Sequence, residues 1–157
     1  MSEDSQPRPM GSLLNSARDG QFAIEMKPED FIYLDRDCEH FKDLIVRIQG
    51  LASEVSRQGT WGLGEDNKKM VSGGTLVSRF KTKAAGAGDG NDVNAIMAQH
   101  FKIVEDIQEA HRLVRERIMQ NDSDWAADFN QKNETLPDRP PVGPKAGPYL
   151  LPGGSTR

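Results

Sequence analysis

The stretch that decides the fold is residues 31–55, FIYLDRDCEHFKDLIVRIQGLASEV. Its apolar or small side chains recur in alternating steps of three and four: Phe31, Leu34, Cys38, Phe41, Ile45, Ile48, Ala52 and Val55. Steps of this size place side chains on one stripe of an α-helix, whereas a strand would alternate at every second residue. Charged residues such as Asp35, Lys42 and Glu54 fall off the stripe. The stretch therefore predicts a long amphipathic helix that packs against another helix.

Flanking residues place the ends of this helix at positions 28 and 57. Pro28 suits a first helical turn, where its missing N–H is not needed, and acidic residues follow it at the positive end of the helix dipole. After the helix, residues 58–64 read QGTWGLG, and three glycines in this short run indicate a turn. Trp61 within it has two interpretations: a side chain that caps the end of a helical bundle, which we favour, or one presented to a partner.

A second helix of similar length is predicted at residues 92–129, after a glycine-rich break at residues 86–91. Its stripe again steps by three and four: Val93, Met97, His100, Val104, Ile107, His111, Val114 and Ile118. Asn91 or Asp92 can cap its first turn, and the polar run at residues 121–124 either interrupts it or re-caps a last turn. Two stripes of equal length predict an antiparallel pair, so the fold class is all-α, a helical hairpin.

The middle segment, residues 65–85, has two possible structures. Leu76, Val77, Phe80 and Ala84 have helical spacing, and we favour a short helix. Gly73 and Gly74 oppose it, because a glycine in a helix interior costs about 1 kcal/mol relative to alanine. Apolar residues on both sides of this pair would also suit a small β-hairpin.

Both ends of the chain are predicted to lie outside the helical domain of residues 28–129. Residues 1–27 have little to bury and predict a disordered or extended arm. Residues 130–157 predict a disordered, proline-rich tail, since six of the nine prolines follow residue 136. A proline-rich ligand at residues 140–144 for an aromatic groove is the alternative to a plain tail.

Composition argues against several functional classes. The net charge of −4 gives no basic field for nucleic acid, and no apolar run approaches the roughly 20 residues that a membrane span needs. The first residues lack the apolar core of a signal peptide, so we expect cytoplasmic synthesis without a cleaved leader and leave secretion open. Cys38 is the single cysteine and lies on the apolar stripe, which predicts a buried apolar group rather than a reactive thiol.

No catalytic constellation stands out, so the sequence predicts a protein that is not an enzyme, with no cofactor and no metal. His100 and His111 are eleven residues apart, which is about 16 Å along a helix and too far for one ion. A site that combines Cys38, His40 and a facing histidine is a minor alternative. Carboxylates such as Glu105, Asp106 and Glu109 are expected to be solvated on the polar face of the second helix.

Two amphipathic helices around a Trp61-Gly62 turn, with Pro28-Glu29 opening the first, resemble the helical-hairpin proteins of bacterial type VII secretion. The resemblance to these WXG-type and PE-type proteins covers residues 27–129. It implies that two hairpins pair into a four-helix bundle, as a homodimer or a heterodimer, and that the assembly is exported without a cleaved leader.

The predicted function is therefore a helical interaction protein whose partner is a small helical protein, and type VII secretion is the implied context. The alternative is a cytoplasmic adaptor or chaperone-like protein that binds a client through the same stripes. The predicted interface comprises Phe31, Leu34, Phe41, Ile45, Ile48, Val55, Trp61, Met97, Val104, Ile107, Val114 and Ile118.

Overall fold

A computed structural model describes residues 8–22 and 24–139 of the chain. This part contains five α-helices and no strand: α1 Gly11–Arg18, α2 Pro28–Arg57, α3 Val71–Ala84, α4 Val93–Asn121 and α5 Ser123–Thr135. The prediction of an all-α protein is therefore confirmed.

The two long helices, α2 and α4, pack along each other in opposite directions. Near the start of α2, the Gln108 side-chain amide donates to the carboxylates of Asp35 and Glu39, at 2.8 Å each. Near the end of α2, the Gln49 side-chain amide donates to the carbonyl oxygen of Asn94 at 3.2 Å. Rising residue numbers in α2 thus meet falling numbers in α4, so the pair is antiparallel.

The middle segment contains a helix, α3, and not the alternative structure, a small β-hairpin. Gly73 is buried in α3, and a Cβ atom there would lie 2.4 Å from the carbonyl oxygen of Leu63. This glycine lets α3 lie directly on the turn that follows α2. The close contact explains why the helix contains a residue that lowers its intrinsic stability.

The N-terminal arm differs from the expectation of a disordered or extended segment, because residues 11–18 form α1. Leu14 and Ala17 of α1 are 1% and 0% exposed and belong to the main core. The other buried members of that core are Phe31, Ile32, Ala110, Val114 and Phe129. Only two α1 residues are buried, so packing on α4 and not local periodicity determines this helix. Residues 1–7 lie outside the described residues.

At the other end of the chain, α4 stops at Asn121 and α5 begins at once. Asp122 caps α5, because its carboxylate accepts a hydrogen bond from the Trp125 N–H at 2.9 Å. Of the two alternatives for the polar run at residues 121–124, the structure therefore has the one in which the run caps a new helical segment. α5 continues to Thr135, beyond the predicted helix end at residue 129 and into the segment predicted to be disordered. Residues 136–139 follow without regular structure, and the expectation for residues 140–157 lies outside the described residues.

Asp106 contradicts the expectation of a solvated carboxylate, because it is 2% exposed. Its carboxylate accepts hydrogen bonds from the Met10 N–H at 3.1 Å and from the Arg8 guanidinium at 3.3 Å. The polar face of α4 was expected to meet water, but α1 covers it. An aspartate that satisfies the N-terminal end of α1 can be buried there because it is hydrogen-bonded.

Candidate partner-binding face

The main core lies towards one end of the α2–α4 pair and leaves apolar side chains of the pair uncovered along the rest. We call the uncovered surface the open face; it comprises Leu34, Phe41, Ile48, Leu51, Val55, Phe80, Val93, Val104 and Ile107. Phe41 is 48% exposed and Leu51 is 62% exposed. Large apolar side chains grouped in this way on a surface typically mark an interaction site.

Two grooves make up the open face. The proximal groove, near the start of α2, has a volume of about 500 Å³. Leu34, Cys38 and Phe41 of α2 line it opposite Val104 and Ile107 of α4, and its rim carries Asp30, Asp37 and Arg139. The groove is therefore apolar at its base and charged at its edge.

The distal groove lies towards the end of α2 and has a volume of about 340 Å³. Its lining is aliphatic and aromatic apart from one lysine: Ile48, Leu51, Ala52, Val55, Phe80, Lys83, Ala84 and Val93. α3 forms one wall of this groove through Phe80 and Ala84. Together the two grooves follow α2 from Leu34 to Val55, a distance of about 32 Å at 1.5 Å per residue.

The predicted interface residues separate into three groups in the structure. Phe31, Ile45 and Val114 are buried within the chain, and Ile118 packs against the main core. Phe41, Ile48 and Val55 are exposed on the open face. The half-buried members are Leu34, Trp61, Met97, Val104 and Ile107. One helical stripe thus serves the internal core at some positions and the surface at others.

The turn after α2 is fixed by Trp61 and Glu65. The indole of Trp61 stacks on Phe80 of α3, with ring centroids 5.8 Å apart, and its Nε1–H donates to the carbonyl oxygen of Gln58 at 3.2 Å. The Glu65 carboxylate accepts hydrogen bonds from the backbone N–H groups of Trp61, Gly62 and Leu63. These donors, that of Trp61 first, hold the pKa of Glu65 below its usual value. Trp61 thereby supports the α3 wall of the distal groove.

Sequence reasoning did not include Leu51, Phe80 and Val93 in the interface. Leu51 lies at the edge of the α2 stripe, and Val93 begins the α4 stripe, so periodicity carried a signal for both. Phe80 has helical spacing with Leu76, but no local pattern tells which side of a short helix faces a groove. That side is set by the contact of Gly73 with the Leu63 carbonyl.

His111 and Cys38 are both packed within the helical domain. His111 Nδ1 lies 2.7 Å from the carbonyl oxygen of Ile107, and its ring meets Phe22 and Phe31 edge-on. Burial raises the pKa of the Cys38 thiol, which keeps it protonated at neutral pH. Across residues 8–22 and 24–139, no group of three or more His, Cys, Asp or Glu side chains is placed to hold a metal ion.

A third groove has the chemistry of a solvated surface. Side chains from α2 and α4 line it together with Arg8 and Arg18, and its volume is about 530 Å³. It carries charges of both signs: Arg8, Arg18, Lys42, Arg112 and Arg115 against Asp35, Glu39, Glu105 and Glu109. Such a mixture provides no field of one sign to select a charged ligand.

None of the described helices combines the length and the apolar character that a membrane crossing requires. Comparison of the chain with models of protein families, with curated protein sequences and with solved structures finds no match.

Proposed function

We propose that this chain is a non-enzymatic interaction protein that binds a second helical protein along the open face. The observation that carries the proposal is the pair of apolar grooves that follow α2 for about 32 Å. A helix fits this surface because its side chains at steps of three, four and seven residues would enter the successive grooves of an antiparallel helix pair.

The energetic reason is the apolar area that a partner would remove from water. A fully buried Phe, Leu or Ile side chain gains about 1.5–3 kcal/mol over an exposed one. Phe41, Ile48 and Leu51 are 48%, 41% and 62% exposed, so each retains roughly half of that gain for a partner. Several such residues along one face can offset the entropy lost on association.

We infer that the partner is a small helical protein of the type VII secretion kind, paired with this chain in a helical-bundle dimer. Support comes from the antiparallel α2–α4 pair, the Trp61-Gly62 turn and the uncovered face of that pair. In this context the chain is exported together with its partner.

The test is co-expression with the products of neighbouring genes, followed by light scattering on a sizing column. We expect a one-to-one complex with one of these products, or a dimer of the chain alone. Ile48→Asp should abolish the assembly, because it would bury an unpaired charge in the distal groove.

Val46→Asp is the matched control, since Val46 is 54% exposed on the same helix. It lies about 200° around α2 from Ile48 and outside both grooves. Equal loss of assembly in the two variants would contradict the proposed face. A chain that stays monomeric alone and with every neighbouring product would contradict the proposed function.

A further inference from the structure

The chain that leaves α5 turns back onto α2 at the edge of the proximal groove. The Arg36 guanidinium donates to the carbonyl oxygens of Leu136 at 3.3 Å and Pro137 at 3.2 Å. The Tyr33 hydroxyl also donates to the Pro137 carbonyl oxygen, at 3.3 Å. Residues 136–139 are thus held along α2 by side chains from two positions of that helix.

Arg139 brings the chain to the rim of the groove itself. Its guanidinium lies 3.8 Å from the centre of the Tyr33 ring and donates to the Asp37 carboxylate at 3.4 Å. Arg139 and Asp37 both line the proximal groove. The eighteen residues 140–157 therefore start at the groove and not at a distant point of the surface.

We propose that residues 140–157 of this chain occupy the proximal groove when no partner is bound, with Tyr149, Leu150 and Leu151 as the apolar contacts. These three are the one run of consecutive large apolar residues in the segment. The groove offers Leu34, Phe41 and Ile107 to receive them.

The charges of the two surfaces are complementary. The segment contains Lys145 and Arg157 and no aspartate or glutamate. The rim of the groove carries Asp30 and Asp37, of which Arg139 pairs with the second. Because Arg139 neutralises Asp37, the rim keeps one net negative charge, that of Asp30, and a weakly basic segment complements it.

The segment is long enough for Tyr149 to reach any part of the proximal groove. Ten residues separate Arg139 from Tyr149 and span at most about 33–36 Å. The far end of the groove, at Phe41, lies four residues along α2 from Asp37, or about 6 Å. Attachment at this distance gives the segment an effective concentration of the order of 1 mM at the groove. If the detached segment bound with a Kd of about 0.1 mM, the groove would be filled about ten times more often than empty.

Where a partner binds the open face, as proposed above, the segment competes with it. This consequence rests on the proposed function, whereas the occupancy of the groove does not.

A cysteine at position 104 provides the test, because Val104 lines the proximal groove and is half-buried, whereas Cys38 is only 7% exposed and would label slowly whether or not the segment is docked. In a background with Val104→Cys and Cys38→Ser, we would measure the rate at which a maleimide labels position 104, with no partner present, at low and at high protein concentration. Three variants are compared with the whole chain: one that ends at Arg139, the triple change Tyr149→Ser, Leu150→Ser and Leu151→Ser, and a control that ends at Pro152. Circular dichroism shows whether all of them keep the same helix content.

We expect labelling about tenfold faster in the first two variants than in the whole chain, which corresponds to a docking free energy of about 1.4 kcal/mol. The control should label like the whole chain, since it keeps the apolar run. Equal rates in all four proteins would overturn the proposal. Protection that appears only at high protein concentration would assign the groove to a second copy and would overturn it too. Neither result bears on the partner complex, which is tested by light scattering.

Discussion

Gly73 and Gly74 of α3 offer a paired test of how α3 is held against the turn after α2. They are the third and fourth residues of α3, and replacing a helical glycine by alanine normally stabilises a protein by at most about 0.5–1 kcal/mol. The structure predicts that the two neighbouring glycines respond with opposite signs. Gly73→Ala should lower the free energy of unfolding, and Gly74→Ala should raise it.

The difference follows from the space at each position. A Cβ on Gly73 would lie 2.4 Å from the Leu63 carbonyl oxygen and 3.2 Å from the carbonyl carbon of Gly64, both backbone atoms. A Cβ on Gly74 would meet only the Glu65 carbonyl oxygen, at an ordinary 3.7 Å. Overpacking typically costs about 1–3 kcal/mol, so Gly73→Ala loses up to about 2 kcal/mol net, whereas Gly74→Ala gains about 0.5–1 kcal/mol.

Thermal unfolding followed by circular dichroism measures both variants. Both variants gain the same helix propensity, so the difference between their free energies of unfolding measures the cost of the clash at Gly73. We expect their Tm values to lie roughly 4–12 °C apart. Trp61 fluorescence provides a second measurement, since the indole stacks on Phe80 of α3 and should report a displaced helix only in Gly73→Ala. A Gly73→Ala protein as stable as Gly74→Ala would refute the contact between α3 and the turn, and with it the α3 wall of the distal groove.

Two further predictions concern buried carboxylates. Asp106→Ala should lower the free energy of unfolding by about 1–3 kcal/mol, because it leaves the Met10 N–H and the Arg8 guanidinium without their acceptor, and amide hydrogen exchange should accelerate in α1. Glu105→Ala is the exposed control, and unchanged exchange in Asp106→Ala would argue against the docking of α1. Asp92 accepts hydrogen bonds from the N–H groups of Ala95, Ala87 and Gly86, and these lower its pKa below the ordinary value of 3.8. The ionised carboxylate therefore contributes to the free energy of unfolding above pH 3.8, and this contribution is lost as the pH falls through the lower folded-state pKa. In Asp92→Asn, the free energy of unfolding in urea should depend less on pH over that range. An unchanged profile would contradict this role.

The long helices of the fold could be predicted because their signals are local. The stripe from Phe31 to Val55 identifies α2, and the proline at its start and the glycines after it mark its ends. The stripe from Val93 to Ile118 identifies α4 in the same way. Three exposed residues of the candidate site, Phe41, Ile48 and Val55, belong to the first of these stripes and could therefore be predicted from the sequence.

The short elements could not be predicted, because contacts distant in sequence determine them. α1 has two buried apolar residues, Leu14 and Ala17, and depends on α4 for its stability. The burial of Asp106 follows from α1, since periodicity alone places the carboxylate on the polar face of α4 and α1 covers that face. Sequence periodicity likewise assigns a residue to a stripe but does not tell which part of the stripe another element covers.

That last distinction explains why the open face exists at all. Phe31 and Val114 lie where α1 and α5 cover the α2–α4 pair, and their parts of the two stripes become core. Further along α2, α3 lies against the turn through Gly73 and leaves Ile48 and Leu51 exposed. Closing the distal groove would require α3 to lie over these residues, but its contact with the Leu63 carbonyl fixes it at the turn. The same glycine that lets α3 fold against the turn thus leaves the distal groove uncovered.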